Sequence, residues 1–173
     1  MKLFCSPQYT KYNIRYTRAY TLIELLVGLT IVGLLFGFGF VSFRDFSRRQ
    51  AIEGAAKKVQ GDLRLAQSLA LAGKKPNSTY CNDPNILDSY SLIIINSQEY
   101  DIEANCSGGI VLEKAVILPS DVTISTPNPN PIKFKILGQG TNIPAAANAT
   151  LVLTQAGTQN QMTVTISSGG EIR

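Results

Sequence analysis

The chain has 173 residues, 45% of them hydrophobic and 16% charged, with three cysteines and no histidine or tryptophan. Without histidine no Ser or Cys can form a His-assisted nucleophile pair, and with no CxxC pair a zinc site has no ligand set. The formal charge of +4 belongs to Lys2, Lys11, Arg15 and Arg18; the remainder holds 12 basic against 12 acidic residues, so overall charge gives no argument for nucleic acid.

Residues 1–19 are polar and aromatic, with those four cations and no apolar run. An ordinary secretory signal carries its apolar region ahead of the cleavage site, whereas here it follows the small residue Ala19, so a cut there would leave the anchor on the protein. From Leu25 to Phe43 run 19 residues without a charge, rich in Leu, Ile, Val, Phe and Gly. About 20 such residues in a helix span a bilayer, which predicts a membrane segment. Glu24 stands one residue before this run. It either sits at headgroup level or requires a partner, because a carboxylate in hydrocarbon is costly. The cations before the run favour a cytoplasmic start, but Arg44, Arg48 and Arg49 beyond it oppose that bias.

Ala19 and Tyr20 followed by Thr-Leu-Ile-Glu-Leu-Leu-Val resemble the N-terminal signature of type IV pilins and type II secretion pseudopilins. The resemblance implies that a prepilin peptidase cuts between Ala19 and Tyr20 and that the freed amino group of Tyr20 is N-methylated. It also implies that Glu24, five residues from the cut, guides assembly with other pilins into a helical filament. The sequence departs from the family at three places. Ala19 replaces the usual Gly, Tyr20 the usual Phe, and Val41 a helix-kinking Pro.

In residues 44–75, Ile52, Ala56, Val59, Leu63, Ala66 and Ala70 recur at spacings of three and four, one stripe of an amphipathic helix, with Lys57, Lys58, Asp62 and Arg64 assigned to other faces. The helix is expected to end at Gly73, ahead of Pro76. From residue 76 on, short β-rich runs predict strands at Tyr90–Ile95, Glu99–Ala104, Ile110–Leu118, Val122–Thr126, Ile132–Leu137, Ala149–Gln155 and Met162–Ser167. Asn96-Ser97-Gln98 and Ala156-Gly157-Thr158-Gln159 suit hairpins. Residues 126–131 form a Pro-rich connection, and Gly138–Asn148 reads as a long mobile loop.

The expected fold is therefore α+β: one long helix over about residues 20–72, its first half transmembrane, its second half packed against an antiparallel β-rich head at 76–173. A helix ending in DLRLAQSLALAGKKP, a Cys soon after, a head containing FKILGQGT and a close in SGGEIR resemble the GspH/FimT family of minor pilins and pseudopilins. That resemblance implies a two-sheet head in the periplasm. There Cys81 and Cys106 meet an oxidising compartment, and the alternatives are a disulfide or two buried free thiols. Asp83, Asn85 and Asp88 offer oxygens to calcium or make a plain surface turn; no metal and no cofactor is assigned.

Residues 44–75 carry a net charge of +5 and residues 76–173 a net of −4. Some FimT-type minor pilins bind DNA through a basic C-terminal segment; here Glu171 replaces one of its cations, so a phosphate-binding patch of Lys133, Lys135 and Arg173 is set against a solvated strand face. The leading reading is a structural subunit, not an enzyme. It would sit in a bacterial inner membrane with its head in the periplasm and then at a filament tip, assembling into or priming a type IV pilus or type II secretion pseudopilus. The alternative is a minor pilin whose head captures DNA or a secreted substrate.

Overall fold

A computed structural model describes residues 20–158 and 160–173, with the side chains of residues 38–45 outside that description. The expected leader, including Ala19 and Cys5, and Gln159 of the second hairpin lie outside the described residues. One helix, α1 (Leu22–Leu71), is followed by seven strands. The chain divides into two compact units at the Ser42/Phe43 boundary.

In the first unit, Thr21 caps α1. Its hydroxyl accepts from the Glu24 backbone N–H at 3.3 Å, and its carbonyl accepts from Leu25 N–H at 3.2 Å. Thr-x-x-Glu at a helix start is the capping-box pattern, and an acid in the first turn also suits the positive end of the helix dipole. From Leu22 to Phe36, eleven large apolar side chains are exposed. At roughly 1.5 kcal/mol or more each, covering them is worth on the order of 15 kcal/mol, as much as the whole stability of a domain. Such a surface needs lipid or other protein. Among the described residues no helix is long and apolar enough to cross a membrane.

The second unit is built on the C-terminal half of α1. Ile52, Ala56, Val59, Leu63, Ala66 and Ala70 are all buried, as their spacing predicts. The helix stops where expected: Gly73 takes the left-handed conformation (φ 58°), and Lys74 N–H bonds back to the Leu69 carbonyl. Tyr90 then donates to the Lys74 carbonyl at 2.6 Å, with burial and the nearby Glu113 pushing its phenol up to about 12.

The strands are β1 (Leu87–Asn96), β2 (Glu99–Cys106), β3 (Gly109–Ile117), β4 (Val122–Ile124), β5 (Ile132–Lys135), β6 (Asn148–Gln155) and β7 (Gln161–Ser167). They form two antiparallel sheets, ordered β3-β2-β1-β5 and β4-β6-β7. One core cluster joins the helix stripe to Tyr90, Leu92, Tyr100 and Ile102 of the first sheet and Leu151, Leu153, Val164 and Ile166 of the second. The Pro-rich connection supplies Asn130, whose side chain bonds the Ile94 N–H and carbonyl in place of a strand neighbour.

Three expectations are corrected. Asp62 does not face solvent; it is 6% exposed, because Tyr100 Oη donates to it at 2.8 Å and Lys114 Nζ at 2.6 Å from across the interior. The segment Gly138–Asn148 is not a slack loop. Thr141 and Ile143 are buried, Asn142 bonds Lys133 and Pro131, and Thr141 donates to the Ser168 carbonyl. These bonds replace the strand ladder that Pro and Gly deny the segment. β5 accordingly ends at Lys135, and Ile136–Gly138 form a single 3-10 turn instead of extending the strand to Leu137.

Candidate functional site

Three groups of residues carry the expected chemistry, and they lie in different places. At the start of α1, Glu24, Gly28 and Val32 recur every four residues and so share one helix face. With Leu25 and Leu29 they line an open apolar groove of about 440 Å³, which Tyr20, two residues before the helix begins, also borders. Gly28 opens it, since nothing lies within 4 Å of where its Cβ would be. Within the first unit, Glu24 is thus the one carboxylate on an apolar surface and borders the same groove as Tyr20. Thr21 was not singled out from the sequence as functional, although Thr-x-x-Glu was there to read.

Cys81 and Cys106 form a disulfide with Cα atoms 5.3 Å apart. It ties the loop after the helix to the end of β2, and Cys81 is fully buried. Beside it, Lys75 Nζ bonds Asp83 Oδ1 at 3.3 Å and the Asn85 carbonyl at 2.9 Å. An ammonium therefore takes oxygens that a calcium ion would need. Among the described residues no group of three or more His, Cys, Asp or Glu side chains is arranged to hold a metal.

The three candidate cations are not gathered into one patch by any described contact. Lys133 and Lys135 sit opposite Ser91 and Ser89 on β5, and Lys135 borders a small pocket with Gln67, Phe134 and Gly170. Arg173 borders a different one with Asn148, Thr165, Ser167 and Glu171. Its guanidinium is held by Glu171, at 2.9 Å to Oε1 and 3.1 Å to Oε2. Its backbone pairs with Thr165 in both directions, so the tail lies along the free edge of β7. The one cation of this tail is thus paired with the acid two residues before it.

Comparison with known families gives two matches. A sequence profile described as Type II transport protein GspH matches residues 55–170, two thirds of the chain. A second, described as the prokaryotic N-terminal methylation motif, matches residues 14–40. The first match takes in the disulfide and both sheets; the second takes in Ala19, Tyr20 and Glu24. No curated protein and no solved structure matches the chain.

Proposed function

Since this chain belongs to the family of type II transport proteins GspH, we propose that it is a minor pilin or pseudopilin that assembles into or primes a type II secretion pseudopilus or a type IV pilus. The methylation motif over residues 14–40 is the observation that carries this reading. A prepilin peptidase removes residues 1–19, and the amino group of Tyr20 is methylated. Residues 20–43 then hold the subunit in the inner membrane and, later, in the filament core, where the eleven apolar side chains exposed on the isolated helix are covered. Residues 44–75 form the spine of the head, and residues 76–173 face the periplasm.

Glu24 pairs in this reading with the Tyr20 amino group of a neighbouring subunit, which supplies the partner that a carboxylate in an apolar setting requires. The matched families consist of structural, non-enzymatic subunits, and the subunit's work here is assembly. The test is Glu24→Ala in cells that make the filament. The variant is expected to remain in the membrane and be missing from sheared filaments; incorporation at the normal level would contradict the assignment.

Capture of DNA or a secreted substrate by the head has less support. Nonspecific DNA affinity grows with the number of phosphate contacts, and Arg173 is already engaged by Glu171. DNA retained at low salt and released by Arg173→Ala would favour that reading instead.

A further inference from the structure

Arg44, Arg48 and Arg49 stand just past the apolar run, where the positive-inside bias disfavours them if the head faces outward. Two of them have a structural setting. Arg48 and Arg49 line an open pocket of about 190 Å³ together with Thr158 and Asn160, from the turn joining β6 to β7. Gln155, the last residue of β6, is 1% exposed and donates to the Arg48 carbonyl at 2.8 Å and to Asp121 Oδ2 at 3.4 Å. The Gln155 Oε1 accepts from Thr158 Oγ1 at 3.3 Å and from Asn160 Nδ2 at 3.5 Å, which sets both residues beside the arginines.

Among the described residues neither guanidinium is in an ion pair. Thr158 has its one hydroxyl proton committed to Gln155 and serves as wall; the two guanidiniums, with the second N–H of the Asn160 amide, make a donor set suited to a phosphate group. Arg48 and Arg49 follow Phe43, the end of the apolar run, by only five and six residues, so in the membrane reading they are sequence neighbours of the headgroup region. We propose that Arg48, Arg49 and Asn160 bind the phosphodiester of an anionic lipid in the outward-facing leaflet, a site that rests on the membrane insertion proposed above.

The test titrates full-length protein in non-ionic detergent with phosphatidylglycerol, phosphatidylcholine and inorganic phosphate, and counts bound lipid by native mass spectrometry. Retention of phosphatidylglycerol over the zwitterionic lipid is expected. A cation near an anionic surface is worth roughly five-fold in affinity, so Arg48→Gln with Arg49→Gln is expected to weaken retention roughly thirty-fold. Lys57→Gln with Lys58→Gln removes the same charge farther along the helix and is expected to change it by no more than about two-fold. Equal losses in the two variants would overturn the site, as would inorganic phosphate binding as tightly as the lipid. Carbonate extraction of cell membranes reports insertion alone: a chain that stays inserted without holding the lipid contradicts this site only, and one that is extracted contradicts the membrane reading.

Discussion

Lys114 Nζ lies 2.6 Å from Asp62 Oδ1, an ion pair that joins the edge strand β3 to the buried stripe of α1. The carboxylate side chain is 8% exposed and the lysine side chain 40%, so one partner is dry and the other partly wet. Tyr100 completes the arrangement; burial first, then its hydrogen bond to Asp62 and that residue's charge, hold its phenol well above the usual tyrosine range. Removing the cation leaves a buried charge with one neutral donor. Lys114→Met is expected to destabilise the head by about 2 kcal/mol, less than for a fully buried pair because the lysine is partly solvated. Asp62→Leu with Lys114→Met is expected to recover about half of that, the remaining roughly 1 kcal/mol being the cost of the orphaned Tyr100 hydroxyl. Urea unfolding of the detergent-solubilised protein measures both; a double variant no better than Lys114→Met would contradict the account.

The acids of β2 predict a pH dependence. Asp101 titrates above its ordinary value through burial and then Glu99. Glu103 does so through burial and then Asp101, with Lys133 pulling it back. The folded chain therefore holds these protons more tightly than the unfolded chain. Their contribution to stability is greatest in acid, below the unfolded carboxyl values near 4, and is lost as pH rises through the raised folded values. Asp101 Oδ1 is also buried without a hydrogen-bond partner among the described residues. Asp101→Asn is expected to raise the urea midpoint at pH 7 and to leave it unchanged at pH 3. A gain of equal size at both would point to packing instead of charge.

Gly108 sits in the turn between β2 and β3, next but one to Cys106. A Cβ there would lie 2.6 Å from the Tyr80 carbonyl oxygen, a backbone atom that cannot step aside without moving the loop held by the disulfide. Gly108→Ala is expected to cost about 2 kcal/mol, the scale of overpacking in a well-packed site. Thermal unfolding followed by circular dichroism checks this; a change within about 0.5 kcal/mol, as at an ordinary surface position, would mean that the turn is slack.

The disulfide closes a loop of 25 residues in sequence, and such loops stabilise by roughly 3 kcal/mol through restriction of the unfolded chain. Cys81→Ala with Cys106→Ala is expected to show a loss of that size in urea. A loss below about 1 kcal/mol would mean that the unfolded chain is already compact around this loop.

Much of this fold was legible in the sequence because the signals are local. Ile52 to Ala70 declare a helical stripe, Gly73 its end, and alternation broken by Gly, Pro and Asn places all seven strands within a few residues. What escaped depends on partners distant in sequence. Asp62 falls on the stripe between Val59 and Ala66, but a charge reads as solvated until Lys114, fifty-two residues on, is seen to meet it. Thr141 and Asn142 look like loop residues because the groups that pin them, Ser168, Lys133 and Pro131, belong to other segments. Arg48 and Arg49 read as stray cations until the β6–β7 turn is folded against them. The pairing of Arg173 with Glu171, two residues away, likewise shows only once the tail is folded along β7.

The most direct test of the filament-subunit reading is the intact mass of the protein recovered from membranes of cells that contain a prepilin peptidase. The account predicts a mass for Tyr20 to Arg173 plus one methyl group, rising by two hydrogens on reduction of the Cys81–Cys106 bridge. A mass that still includes Met1 to Ala19 would contradict it, and the chain would then be a signal-anchored protein that does not enter a filament.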